Sequence, residues 1–277
     1  MKIAVLSDVH GNVPALEAVL DDVQRWGADR LVVNGDVISR GPCSEEVLAL
    51  LARQAPGCQL LTGNHETFVL ACHDHPPHPT DWDYDLKRFA SWTAERLGKR
   101  LDEVRRWADH VDLPGLEGGA SMHVTHGSRL GNRDGIKPET PDADLPDKLG
   151  DSRALFVGSH THRPLVRRFN ATLVVNTGSV GQPFDGDPRA AYGRFTYAQG
   201  GWRAAIARVP YDKQRAVRDF SDSGFLDQCG PVAQLISIEH QQNRMHVGRL
   251  MGRYLQPIRA GEITVAQAVA AYLEGME

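Results

Sequence analysis

A chain of 277 residues, 41% of them hydrophobic, is long enough to bury a substantial core in one large domain plus an appendage. Its formal charge of −4 leaves no electrostatic footprint for a long nucleic-acid track, and no apolar stretch reaches the length of a membrane span. The opening apolar run is too short for a signal peptide, and Cys43, Cys58, Cys72 and Cys229 lack CxxC spacing, so reduced thiols in a cytoplasmic protein are expected.

A strand over 3–6 opens the chain. The helix that follows, over 14–26, has Pro14 in its first turn, Gly27 at its stop, and one apolar face from Leu16, Val19, Leu20 and Val23. A strand over 31–34 and a helix over 45–53, with Ser44 as its N-cap, repeat the unit, and a strand over 59–61 completes it. This βαβαβ opening predicts a parallel sheet with helices on its faces.

Residues 73–79 place His73, His75 and His78 among prolines, which reads as a solvated loop rather than a metal tract. Helices over 85–97 and 102–108 are expected to cap a site beside them, and 127–150 forms a long excursion between the strands ending at Thr125 and starting at Leu155. Short strands over 155–157, 165–169, 172–176, 190–197 and 202–208 predict a mainly antiparallel second half packed on the first. Beyond it the pattern is helical, so residues 1–208 read as the main domain and 209–277 as a helical C-terminal extension. Val247, Leu250, Met251 and Tyr254 form an apolar stripe there, as do Val265, Ala268, Val269 and Tyr272. Such stripes either cover the main domain or join two copies in a homodimer.

The chemistry is carried by four short motifs at strand exits: Asp8-Val9-His10, Gly35-Asp36, Gly63-Asn64-His65-Glu66, and His126 with Ser159-His160-Thr161-His162. Polar residues just past strand ends converge at one edge of a sheet. Carboxylate, amide and imidazole without thiol form a donor set for hard-to-borderline divalent cations, and this one is large enough for two. Asp36 has two oxygens with which to bridge them, and Asn64 offers a neutral carbonyl. Glu66 reads as an ordinary polar residue at a helix start. Arg40 could set a guanidinium fork against a phosphate oxygen or form a surface ion pair, and Asn12 could touch substrate or cap the first helix.

Taken together, these motifs resemble the calcineurin-like metallophosphoesterase superfamily over about residues 1–208. The resemblance implies a four-layer α-β-β-α sandwich of two mixed sheets around a dinuclear metal centre. It implies that Asp8, His10 and His162 hold one ion, that Asn64, His126 and His160 hold the other, and that Asp36 bridges. His65 would be the acid that protonates the leaving oxygen, or would hold the phosphoryl group. Ser39 stands where the protein-phosphatase branch has an aspartate that orients this histidine, which counts against a protein phosphatase. Residues 176–183, Asn-Thr-Gly-Ser-Val-Gly-Gln-Pro, instead resemble an element of the small bacterial phosphodiesterases in the superfamily.

The expected function is hydrolysis of a nucleotide or similar small phosphodiester by attack of a metal-bridging hydroxide. Phosphate would be held by Arg40, Asn64, His65 and, on the substrate-contact reading, Asn12. Manganese is the metal the resemblance implies, and iron, zinc, nickel or cobalt also suit the donors. The alternatives are a phosphomonoesterase or nucleoside-polyphosphate hydrolase built on the same site, and a non-catalytic metal-binding scaffold.

Overall fold

Alternation along the strands divides the apolar residues among three layers. The computed structural model describes residues 1–115, 120–151 and 154–276; Glu277, the end of the expected extension, lies outside them. The first half runs β1 (Lys2–Leu6), α1 (Val13–Trp26), β2 (Arg30–Asn34), α2 (Ser44–Gln54), β3 (Gln59–Leu61), α3 (Asn64–Asp74), α4 (Tyr84–Leu97), α5 (Leu101–Val104), β4 (His110–Leu113) and β5 (Met122–Thr125). Then come α6 (Leu145–Leu149), β6 (Leu155–Gly158), β7 (Leu165–Phe169), β8 (Thr172–Asn176), β9 (Ala190–Ala198) and β10 (Gly201–Val209). The chain continues as α7 (Lys213–Asp222), α8 (Phe225–Gln228), α9 (Pro231–Gln242), α10 (Val247–Arg259) and α11 (Val265–Glu274).

One sheet has the order β10-β9-β1-β2-β3 and the other β4-β5-β6-β8-β7. Successive side chains of a strand point to opposite faces. Ile3 and Val5 therefore meet Met122, Val124, Leu155 and Val157 between the sheets, whereas Ala4 and Leu6 pack outward on the helices with Leu16 and Val19. On the far side, Phe156 and Val174 turn outward to meet Ile136, Leu145 and Leu149. The 127–150 excursion is thereby anchored as an outer layer. Two mixed sheets with helices outside give the four-layer sandwich.

The second half departs from the expected antiparallel unit. β5, β6 and β8 are mutually parallel, with β4 and β7 antiparallel at the edges. The β9–β10 hairpin leaves them altogether and pairs with β1 of the first sheet, Val5 opposite Gly193. Short apolar runs encode strands but not partners.

Other differences are local. The expected helix over 102–108 stops at Val104, because the chain then bends so that the Ala108 carbonyl accepts from Thr62 N–H at 2.9 Å. Ser44 does not cap α2 from outside; it is the first helical residue, and its hydroxyl accepts from Ser39 N–H at 2.9 Å. Asn64-His65-Glu66 is the first turn of a full helix, α3.

The helical region after β10 lies on the first sheet's helices: α7 packs on α1, α9 on α4, and α11 on α9 and α10. Leu250, Ile258, Val265, Ala268, Val269 and Tyr272 are buried in the same core as Leu16 and Phe89. The second stripe and Leu250 of the first are thus buried within the chain, whereas Val247, Met251 and Tyr254 are half-buried. No helix among the described residues is long and apolar enough to cross a membrane.

Candidate metal centre

Five parallel strands deliver the polar residues to one edge of the sandwich. Asp8 and His10 follow β1, Asp36 follows β2 and Asn64 follows β3, all on the first sheet; His126 follows β5, and His160 and His162 follow β6, on the second. Asp8, His10, Asp36, His160 and His162 have positive φ, between 49° and 64°. Left-handed backbone costs a non-glycine residue about 1 kcal/mol or more. Neighbouring turns hold it in place: Asp8 N–H donates to Gly35 O and His10 N–H to Asp36 O, each at 3.0 Å. Gly63 is required by the same crowding, since a Cβ there would lie 2.2 Å from Asp36 Oδ1.

The side chains form two groups that share Asp36: Asp8, His10, Asp36 and His162, then Asp36, His126 and His160. Within each group one donor atom per residue lies within 4.8 Å of all the others. His162 Nε2 is 3.1 Å from Asp8 Oδ1 and 3.3 Å from His10 Nε2. His126 Nε2 is 3.4 Å from Asp36 Oδ2. Asn64 Oδ1 sits 3.1 Å from His126 Nε2 and 2.7 Å from His160 Nδ1, which joins it to the second group.

Their surroundings fit cations. His126 Nδ1–H donates to Asn34 O at 2.9 Å and His162 Nδ1–H to Gln182 O at 2.5 Å, so the Nε2 atom of each ring faces the cluster. Asp8 is fully buried, its Oδ2 accepts from Ser7 Oγ at 2.6 Å, and its Oδ1 accepts no hydrogen bond. A buried carboxylate oxygen without a hydrogen-bond donor, aimed among imidazole nitrogens, is the arrangement a divalent cation satisfies.

Electrostatics within the cluster are strongly coupled. Burial opposes charge on His126, but the Asp36 and Asp8 carboxylates outweigh it and push its pKa up to about 10. Burial, then the charge of His126, lowers His160 to about 4. Burial lowers His65 to about 3 against the pull of Asp36, and likewise holds His10 well below its ordinary value. Burial would raise Asp36, but the adjacent His126 and His65 hold it well below the carboxylate range. Apart from His126, the shifted imidazoles are therefore neutral at pH 7, as a ligand must be.

The remaining expected residues surround the cluster. The His65 ring stands edge-on to His10 with centroids 5.0 Å apart, and its main-chain N–H donates to Asp36 Oδ1 at 2.8 Å. The Ser39 hydroxyl has no hydrogen-bond partner among the described residues, His65 included. Asn12 caps α1: its Oδ1 accepts from Ala15 N–H at 3.1 Å while its Nδ2 meets Gly181 O and His240 Nε2, each at 2.9 Å. The cap that the sequence offered for Asn12 is formed, and both ends of its amide have partners within the chain. Arg40 is no surface residue. Its Nε donates to Gln182 Oε1 at 2.8 Å, and its NH2 group pairs with Glu239.

Two supports hold the cluster, of which the sequence reading missed the first. Glu66 is fully buried and accepts from the main-chain N–H groups of Asp36, Val37, Ile38 and Gly63 at 2.7–3.1 Å, clamping the β2 turn to α3. Burial and the Asp36 charge push its pKa up to about 7. Residues 176–183, expected from their pattern alone, act as a second clamp. Val180 and Gly181 N–H donate to Ser7 O and Asp8 O at 2.9 Å, and Ser179 Oγ donates to Asp8 O at 2.8 Å. Only glycine fits at 181, where a Cβ would lie 1.8 Å from Val9 O.

A cleft of about 790 Å³ opens from the cluster, with Asp36, Asn64, His65, His160 and His162 at its base and Arg40 and Phe184 on its wall. Phe184 stacks on His162 with centroids 4.4 Å apart.

Comparison with known proteins agrees with this arrangement. Residues 1–200 match the model of the calcineurin-like phosphoesterase superfamily domain. The chain is 29% identical to the Methanocaldococcus jannaschii protein MJ0912 over 238 residues, 77% of this chain and 89% of that one. It is 28% identical to the phosphodiesterase YfcE of Escherichia coli over 201 residues, 70% of this chain and 86% of the relative. The fold is similar to the crystal structure of a metallophosphoesterase from Sphaerobacter thermophilus, with a TM-score of 0.68 at 24% identity, covering 88% of this chain and 99% of that one.

Proposed function

This chain belongs to the calcineurin-like phosphoesterase superfamily, and on that premise we propose that it hydrolyses a small phosphodiester at two divalent cations. Asp8, His10 and His162 would hold one, Asn64, His126 and His160 the other, with Asp36 between them. The observation that carries this reading is the sharing of Asp36 by two donor groups. Bound there, the cations would supply neutralising charge for the phosphoryl group and an activated nucleophile. Manganese is the first choice, and iron, zinc, nickel or cobalt also suit oxygen and nitrogen donors.

The chain's own residues do the rest. His65, beside Asn64 at the base of the cleft, faces the phosphoryl group and hydrogen-bonds either its oxygen or the departing alcohol. Arg40 is fixed by Gln182 and Glu239, so its remaining N–H groups are pre-oriented toward a phosphate oxygen. Its charge is already balanced by Glu239, which suits the single charge of a diester better than the double charge of a monoester. The name of the YfcE relative supports the same preference.

The family match ends at 200 and β10 at Val209, which supports a catalytic region over 1–208 followed by a helical extension that walls the cleft. The free thiols of Cys43, Cys58, Cys72 and Cys229 support a reducing, cytoplasmic setting.

The test is hydrolysis of bis(p-nitrophenyl) phosphate and of p-nitrophenyl phosphate by metal-stripped protein resupplied with manganese. Metal-dependent cleavage favouring the diester is expected. Preference for the monoester would replace this reading with the phosphatase alternative, and no turnover despite bound metal would favour a scaffold.

A further inference from the structure

The cleft wall holds more positive charge than one phosphodiester uses. Besides Arg40, its lining includes Lys137, Arg163, Arg244 and Arg249. Acidic partners account for part of this: Arg40 pairs with Glu239, Arg163 with Glu139 at 2.5 Å, and Asp185, also on the wall, with Arg208. Lys137, Arg244 and Arg249 have no acidic partner among the described residues. In a chain of formal charge −4, this is a local excess of the opposite sign, concentrated beside the metal cluster.

The segment bearing the two arginines is built rather than loose. Helix α9 ends on Asn243 in left-handed backbone, with φ 54°. The Asn243 carbonyl accepts from Gly186 N–H at 3.3 Å, and its side chain accepts from Lys213. Glu239 then accepts from His246 N–H at 2.6 Å and Val247 N–H at 2.7 Å. The carboxylate that fixes Arg40 therefore also fixes the backbone between Arg244 and Arg249. Lys137, on the same cleft, starts a turn closed by its own N–H on Thr140 Oγ1 at 2.8 Å. Exposed cationic side chains on a pinned backbone lose little freedom when an anion arrives.

We propose that Lys137, Arg244 and Arg249 form a second anion site, which holds a second phosphate of a ligand whose first phosphate lies at the metal centre. The assignment rests on the phosphoesterase reading of that centre. A cleft of about 790 Å³ has room for a ligand larger than a single phosphate group. Two guanidinium groups and an ammonium on one cleft supply the donors and the positive charge that a phosphate requires. The second phosphate is either contiguous with the first, as in a nucleoside polyphosphate, or on a separate carbon, as in a nucleoside bisphosphate.

Calorimetric binding to the full-length, metal-loaded protein separates these cases without relying on turnover. The probes are adenosine 5′-monophosphate, adenosine 5′-triphosphate and adenosine 3′,5′-bisphosphate, each titrated into the parent protein and the R244Q/R249Q variant. At least one of the two probes with more than one phosphate is expected to bind the parent about tenfold or more tightly than the monophosphate. That advantage should shrink about tenfold in the variant; chelation of metal by the triphosphate is common to both proteins and cancels. Which probe gains tells contiguous from separate phosphates. Equal affinities for all three in the parent would overturn the proposal. So would a variant that loses the monophosphate as much as the others, since the arginines would then serve the first phosphate. If diester hydrolysis fails but the advantage over the monophosphate holds, the catalytic reading falls and the anion site stands.

Discussion

Glu239 and Arg40, 199 residues apart in the chain, form a buried ion pair at the rim of the Asp–His cluster. Glu239 is fully buried and Arg40 only 11% exposed, so each would be left as an uncompensated charge without the other. Glu239→Gln is expected to cost about 3–5 kcal/mol in urea denaturation. Arg40→Met should cost a similar amount, and the double variant less than the sum of the two, because the charges share one interaction. Additive losses would show that the pair is not coupled.

Asp36 is the carboxylate common to both donor groups. Asp36→Asn is expected to lower bound metal, measured by elemental analysis, and to abolish turnover. His65→Ala should keep its metal and lose about 10²–10³-fold in kcat, the range for removing a hydrogen-bond donor to a reacting oxygen. Loss of metal from the His65 variant would make it a ligand or a support of one.

Glu66 is a further target. Four main-chain N–H groups converge on its carboxylate, and an amide oxygen cannot accept from all of them. Glu66→Gln should destabilise the fold by about 2–4 kcal/mol, because buried donors lose their acceptor. A urea midpoint equal to that of the parent would remove Glu66 from the frame of the site.

His240 supplies a pH dependence. Burial, with help from the Lys213 and Arg40 cations, lowers its pKa to about 3, and its Nε2 accepts from Asn12 Nδ2 at 2.9 Å. Between the ordinary histidine value and about 3, the unfolded chain binds a proton that the folded chain refuses, so stability rises with pH across that window. This contribution is complete above about pH 6.5 and is reduced by about 2 kcal/mol at pH 5. His240→Gln removes it. The variant should therefore lose less stability than the parent between pH 7 and 5 in matched thermal scans.

Much of this site is legible in the sequence because its donors follow strands. A run such as Lys2–Leu6 marks a strand, and the polar residues beyond it must emerge at the sheet edge. The supports are harder to read, since they act across long separations. Glu66 clamps residues about thirty positions upstream, and nothing near it in sequence names them. Glu239 did leave a trace: Val232, Leu235 and Ile236 are buried on the helix face that Glu239 continues, and a carboxylate in an apolar stripe signals a buried partner. The pairing of β9 with β1 left none, because Ala190–Ala198 suits either sheet edge equally well.

The origin of the donors on two sheets has a consequence for assembly. Each group draws on both: Asp8, His10 and Asp36 from the first sheet meet His162 from the second, and Asp36 meets His126 and His160. Neither sheet alone carries a complete coordination set. A cation seated there would act as a rivet through the sandwich, taken up only once the halves have closed and released when either one opens. Metal uptake would then be a late step of folding, and its rate would report when the two halves of the molecule have met.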